Sequence, residues 1–456
     1  MFGRLASTLS PAEIERTESM VLAAAQAGRS DAVAKGIKKL LRAQSRDRNA
    51  ALALVRIVAD GQLSIDQGLE VLDAVFRAHG KDPEVVAGIG NATDQVRDID
   101  DLNAPPPESV LFAELADALE PFARAAEGTP SELSLLSALA TTTRMMQRQR
   151  DDAAARSYRR LVELAPDMGR HHYNLGLFCK TRGLFREGML ANQVAAGLVD
   201  EPVDSYEWNL GICATGAGEG SVALDVWQRM EQKIEMGRFA LPEGGYPDCK
   251  VKLAQRPLAE RDSESDDPGL QETIWIERLS PCHGIVRSAL YQDLGVDFGD
   301  VVLIDGAPIT YHTYGETKVP VFPHLATLVR RGYRFFDFAG TQQERGQLAD
   351  ASKGLAADAV VYSHTEQYVV LCHACWLSEQ TDHAHHQSRE EHVVTGRIVA
   401  PPDIEPADLL RQLDEAIAAR PACRVYTPAL CEAAGLHERG AVERRRFDMI
   451  VAAKGR

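Results

Sequence analysis

The sequence predicts an all-α helical-repeat N-terminal half joined to an α+β C-terminal domain with a mixed or antiparallel sheet. Three observations lead there. First, Tyr173-Asn174-Leu175-Gly176 recurs as Trp208-Asn209-Leu210-Gly211 after 35 residues, and each copy is followed by a glycine at the same offset, Gly183 and Gly218. A fixed period of this length marks stacked helical hairpins. Second, residues 11–236 are dominated by Ala, Leu, Arg, Glu and Gln, with apolar residues three or four apart, the spacing of one helix face. Third, from about residue 272 short β-branched runs alternate with Pro and Gly turns, the pattern of strands.

Taken in order, residues 32–44, 50–58, 65–79 and 109–120 each read as one helix. Pro105-Pro106-Pro107 makes a stiff break, because proline lacks the N–H that a helix interior needs. Helices near 130–149 and 153–164 lead into the repeated word. The organisation expected is an N-terminal helical region over 1–104, helical repeats over 105–236, an extended linker over 237–271 and the α+β domain over 272–456. The linker rests on Pro242, Gly244, Gly245 and Pro247 and on the acidic stretch before Pro268, a composition that resists packing. Beyond it, residues 273–277, 284–288, 300–304, 333–338, 359–363, 368–372, 393–399 and 423–426 read as strands. Residues 322–331 and 406–419 read as helices, the second introduced by Pro401-Pro402.

The repeat resembles the tetratricopeptide family. Leu175-Gly176 and Leu210-Gly211 occupy its Leu-Gly slots, Ala154 with Tyr158 and Ala223 with Trp227 its Ala-x-x-x-aromatic slots, and Pro166 closes one unit. The match covers about residues 153–230. It departs where His172 and Glu207 replace a usual Trp, where Cys179 and Ala214 replace a usual Tyr, and at Gly188 and Asn192 in the middle unit. The resemblance implies a concave face lined by the first helix of each hairpin, where Asn174 and Asn209 would hydrogen-bond a bound peptide. Tyr173, Leu177, Lys180, Trp208 and Ile212 are their neighbours on that face. Residues 270–456 resemble no recognised family.

Composition bounds the function. Apolar residues make up 45% and charged residues 25% of the 456, the balance of a globular protein. A net charge of −16 argues against a general nucleic-acid binder, which needs a dense basic face. No apolar run suits a membrane span. No basic-then-apolar leader is visible in residues 1–14, so a cytoplasmic location with reduced thiols is expected.

Five of the eight cysteines and ten of the thirteen histidines fall from residue 282 onward. Cys372 and Cys375 are spaced as half a tetrahedral zinc site, with His383 and His385 as the nearest further ligands. A buried strand end, with Cys375 a small apolar residue, accounts for the same pattern without a metal. Cys282-His283 is a weak nucleophile pair, since neighbours on an extended segment face opposite ways. His364 stands near a strand end where a general base would serve. No phosphate loop, dinucleotide fingerprint, nucleophile elbow or zincin motif is present, and no catalytic residue is assigned. The reading is an adaptor or assembly factor that takes a protein or peptide on the repeats. The alternative is a metal-dependent enzyme or modification factor whose Cys/His cluster carries the site and whose repeats recruit a protein substrate.

Overall fold

A computed structural model of the chain describes residues 9–96, 109–146, 148–262, 267–356, 358–372 and 387–454. Its backbone divides into two compact units. The first comprises Met1–Gly244, Arg256–Gly269 and Asp305–Ala326; the second comprises Gly245–Gln255, Leu270–Ile304 and Thr327–Arg456.

The first unit opens with α1 (Pro11–Gln26), α2 (Ser30–Gln44), α3 (Arg48–Ala59), α4 (Ile65–His79) and α5 (Pro83–Asn91), then α6 (Ser109–Ala125) and α7 (Glu132–Met145). Their starts are written in the sequence. Ser10 and Glu13 form a reciprocal capping box on α1, and Asp82 accepts from the first-turn amides of α5 ahead of Pro83, each meeting N–H groups that lack helical partners. One apolar cluster joins these helices, with Leu40, Leu54, Leu72, Ile89, Phe112 and Leu119 buried in it.

The repeats follow as α8 (Asp151–Leu164), α9 (Gly169–Thr181), α10 (Phe185–Gly197), α11 (Asp204–Gly216) and α12 (Gly220–Arg229). The recurring glycines have a structural reason. Gly183 and Gly218 both adopt the left-handed conformation, at φ 70 and 74°. There the Leu184 N–H reaches the Cys179 carbonyl at 3.0 Å, and the Glu219 N–H reaches that of Ala214 at 2.9 Å, the stop that lets each hairpin turn back. Within the word itself, Gly211 lies against the Trp227 indole and Gly176 against the Asn192 amide, with no room for a Cβ at either. The middle unit keeps the geometry with a smaller pair: Gly188 brings α10 onto the Gly176 carbonyl, and Asn192 donates to Gly188 O at 2.8 Å.

The first unit also holds short strands β1 (Ile234–Met236) and β2 (Pro242–Gly244), which pair antiparallel. In the second unit β3 (Cys249–Ala254), β4 (Gln271–Arg278), β5 (His283–Val286) and β6 (Val301–Ile304) form an antiparallel run. Residues 237–271 were expected as a linker, yet β3 is almost wholly buried. Val251 and Leu253 supply the apolar face, and the flanking Pro and Gly hide a strand this short.

The hairpin of β7 (Thr310–Tyr314) and β8 (Thr317–Val329) turns at Gly315, whose φ is 59°. This corrects the helix expected over 322–331. Val321 through Ala326 are all buried, so the run shows no alternation and its period does not separate helix from strand. Pro320 and Pro323 also withhold the N–H groups that a helix would need.

The remaining sheet has the order β10-β11-β9-β12, from β9 (Arg334–Gln342), β10 (Val360–Cys372), β11 (Gln387–Ala400) and β12 (Arg424–Tyr426), all antiparallel. Two strands expected over 359–372 are one, carried past a register shift between Ser363 and Thr365 that a β-bulge permits. Helices α13 (Pro406–Ala418), α14 (Pro428–Ala433) and α15 (His437–Lys454) complete the unit. The pleat sorts its core. Phe336, Phe338, Val394 and Ile398 meet Leu409, Leu410 and Leu413 of α13, while Ala339 and Val393 meet Ile450 of α15. The fold is therefore an all-α helical-repeat N-terminal half with a β-rich α+β region after it.

Beside this sheet Asp297 accepts from the Leu290 and Phe298 amides at 3.0 and 2.7 Å and lies 3.3 Å from Arg397. Burial outweighs these contacts and pushes its carboxyl up to about 6. The folded chain then holds this proton at a pH where the unfolded chain has lost it, so stability rises as pH falls from about 7 toward 4. The wild-type melting temperature is expected to rise relative to Asp297→Asn between pH 8 and pH 5, by the equivalent of about 1 kcal/mol after solvent screening. A pH-independent difference would mean that Asp297 does not titrate there.

Candidate functional site

The concave side of the repeats carries a cleft of about 460 Å³, built wholly from the first unit. Helix α9 supplies Tyr173, Leu177, Lys180 and Thr181, and α11 supplies Asp204, Ser205, Trp208 and Asn209. Arg144 at the end of α7, Leu258, Pro323 and the turn Asp305-Gly306-Ala307 close it. The helical period explains the choice. Tyr173, Leu177 and Lys180 are four and three apart, and Asp204 and Trp208 are four apart, so each set lies on one helix face.

Five of the seven residues expected to bind a partner thus line one cleft: Tyr173, Leu177, Lys180, Trp208 and Asn209. Asn174 is half-buried on α9 outside the lining. Ile212 is 0% exposed and belongs to the interior of the repeats.

Lys180, Asn209 and Asp305 of the cleft are committed to one another. Lys180 Nζ donates to Asn209 Oδ1 at 2.9 Å and pairs with Asp305 Oδ2 at 2.7 Å. Lys180 and Asp305 side chains are only 6% and 15% exposed, so this is an ion pair largely out of water. Asp305 also caps its own turn, accepting from the Ala307 N–H at 3.4 Å. Gly306 lies flat on the Trp208 indole, where any Cβ would overlap the ring. Trp208 in turn meets Trp227 edge-on at 5.3 Å, and Tyr173 stacks on Tyr206 at 4.8 Å. Both are favourable aromatic arrangements.

A second anchor holds the other closing segment. Buried Arg148 donates to the Thr181 carbonyl at 2.7 Å and to the Leu258 carbonyl, tying Leu258 to the end of α9. Sequence reasoning found the two repeat helices but missed Arg144, Leu258 and Pro323. Nothing local to Asp305-Gly306 announces its place on Trp208.

Of the expected zinc ligands, Cys372 ends strand β10, and Cys375, His383 and His385 lie outside the described residues. Among the described residues no group of three or more His, Cys, Asp or Glu side chains is arranged to hold a metal. Cys282 and His283 are both fully buried around Ser280, whose Oγ lies 2.5 Å from His283 Nδ1 and 3.8 Å from Cys282 Sγ. His364 sits in the β10 bulge, stacked on Tyr291, with Nε2 2.7 Å from the Ala289 carbonyl. Burial holds its imidazole below the usual range.

No family model matches the chain, and no curated protein matches it. Among solved structures, MamA (residues 41 to the end) from Desulfovibrio magneticus RS-1 is similar at 18% identity, over 40% of this chain and 94% of that one, with a TM-score of 0.29. A structure titled MamA AMB-1 is similar at 16% identity, over 49% and 92%, with a TM-score of 0.27. Likeness at this level fixes neither family nor function. By its own hairpins the chain is a helical-repeat protein of TPR-like build with an α+β region appended. No helix among the described residues is long and apolar enough to cross a membrane.

Proposed function

We propose that the chain is a protein-interaction adaptor or assembly factor that receives a segment of a partner protein in the cleft between α9 and α11. The observation that carries this reading is that five of the residues the repeat resemblance implies line one largely apolar cleft, the usual form of a recognition site. The Lys180–Asp305 pair and the Trp208–Gly306 contact support it, because a rigid wall orders few groups on binding and so limits the entropic cost.

The test is a photo-crosslinking residue placed at Ser205, on the exposed lip of the cleft, with a control at exposed Lys38 on α2. A discrete crosslinked partner from Ser205, absent from Lys38 and reduced by Tyr173→Ala, is the expected result. Equal capture from both positions would remove the cleft as the binding site.

A further inference from the structure

The charges around the cleft are unequally available. Lys180, the cation on α9, is buried against Asp305 and Asn209. Arg144 is the other cation of the lining. It is half-buried, and its guanidinium has no hydrogen-bond or ion-pair partner among the described residues. Between Arg144 and Asp204, at the start of α11, the walls are apolar: Leu177, Trp208, Leu258 and Pro323. The α9 wall from Tyr173 to Thr181 is about 12 Å long at roughly 1.5 Å per residue, which matches about four extended residues at roughly 3.3 Å each.

Resting on the cleft being the binding site, we infer that it takes a short extended peptide with an acidic residue for Arg144 beside an apolar or aromatic residue seated on Leu177 and Trp208. The resident Asp305 turn has satisfied Lys180, so selectivity for the acidic group comes from Arg144. A planar guanidinium held in a partly dry site suits a carboxylate in a bidentate pair. The apolar side chain supplies the contact area, and the acidic one fixes the register.

The experiment uses the full chain and fluorescein-labelled, C-terminally amidated peptides carrying Glu-Leu-Phe-Ala, Lys-Leu-Phe-Ala or Glu-Gly-Gly-Ala, read by anisotropy at low ionic strength. The first should bind about five- to tenfold more tightly than the second, as one partly desolvated ion pair allows. The third should bind weakest, lacking the apolar anchor. Arg144→Glu should reverse the order of the first two, and Arg144→Gln should abolish their difference, both variants keeping the wild-type melting temperature. An unchanged order in Arg144→Glu, equal binding of the first two by the wild type, or no binding of any peptide would overturn the inference. Crosslinking of a bound peptide from Ser205 separates the two readings. Peptides that crosslink there without acidic preference sink this inference alone, whereas peptides that bind but never crosslink there sink the cleft as well.

Discussion

Lys180→Met is expected to destabilise the repeats by about 3 to 5 kcal/mol, because it strands the Asp305 carboxylate in a site largely closed to water. The ammonium now meets both Asp305 and Asn209, so its loss leaves two buried acceptors without their donor, each with a desolvation cost. Replacing both ions, in Lys180→Met with Asp305→Leu, should recover most of the loss, since a buried pair and an apolar pair of like volume are often near neutral. The readout is the thermal transition, which should fall by roughly 10 °C in the single variant and return most of the way in the double. If the single variant melts like the wild type, the ion pair contributes nothing and the turn is held by Gly306 on Trp208. Equal melting of the single and double variants would show that Lys180 and Asp305 are not coupled.

Gly211→Ala should cost about 1 to 2 kcal/mol although alanine is the better helix former. The helix-propensity gain is only about 1 kcal/mol, while overpacking a closed core costs about 1 to 3 kcal/mol or more. The atoms in the way belong to the six-membered ring of Trp227, which is 0% exposed and has nowhere to move. Removing that ring should relieve the clash: Gly211→Ala with Trp227→Phe should be more stable than the sum of the single effects implies. Strict additivity by thermal or denaturant unfolding would show that the two helices already leave space. Gly176 stands at the same position of the earlier hairpin, with Asn192 in the place of Trp227, so the repeat preserves a close approach with unlike partners.

Much of the cleft is legible in the sequence. Leu-Gly at a fixed period demands helices that touch, and helical spacing puts Tyr173, Leu177 and Lys180 on one face, Trp208 and Asn209 on the next. Ile212 failed because the word gives the helix but not the width of the exposed stripe. One turn beyond Trp208 along the same face, Ile212 is already fully covered. The β-rich region is less legible at residues 322–331 and 249–254. Fully buried strands lose their alternation, and strands of a few residues leave too short a sample for any period to emerge.

By itself the sequence determined the helical hairpins, their glycine stops and the change to strands, because these depend on residues within a few turns of one another. Only the tertiary structure decided which charges stay available. Asp305 is separated from Lys180 by 125 positions, and nothing local to either residue announces that they neutralise each other. That pairing leaves Arg144 as the cation of the cleft lining without an ion-pair partner among the described residues, a consequence of long-range packing that no periodicity records.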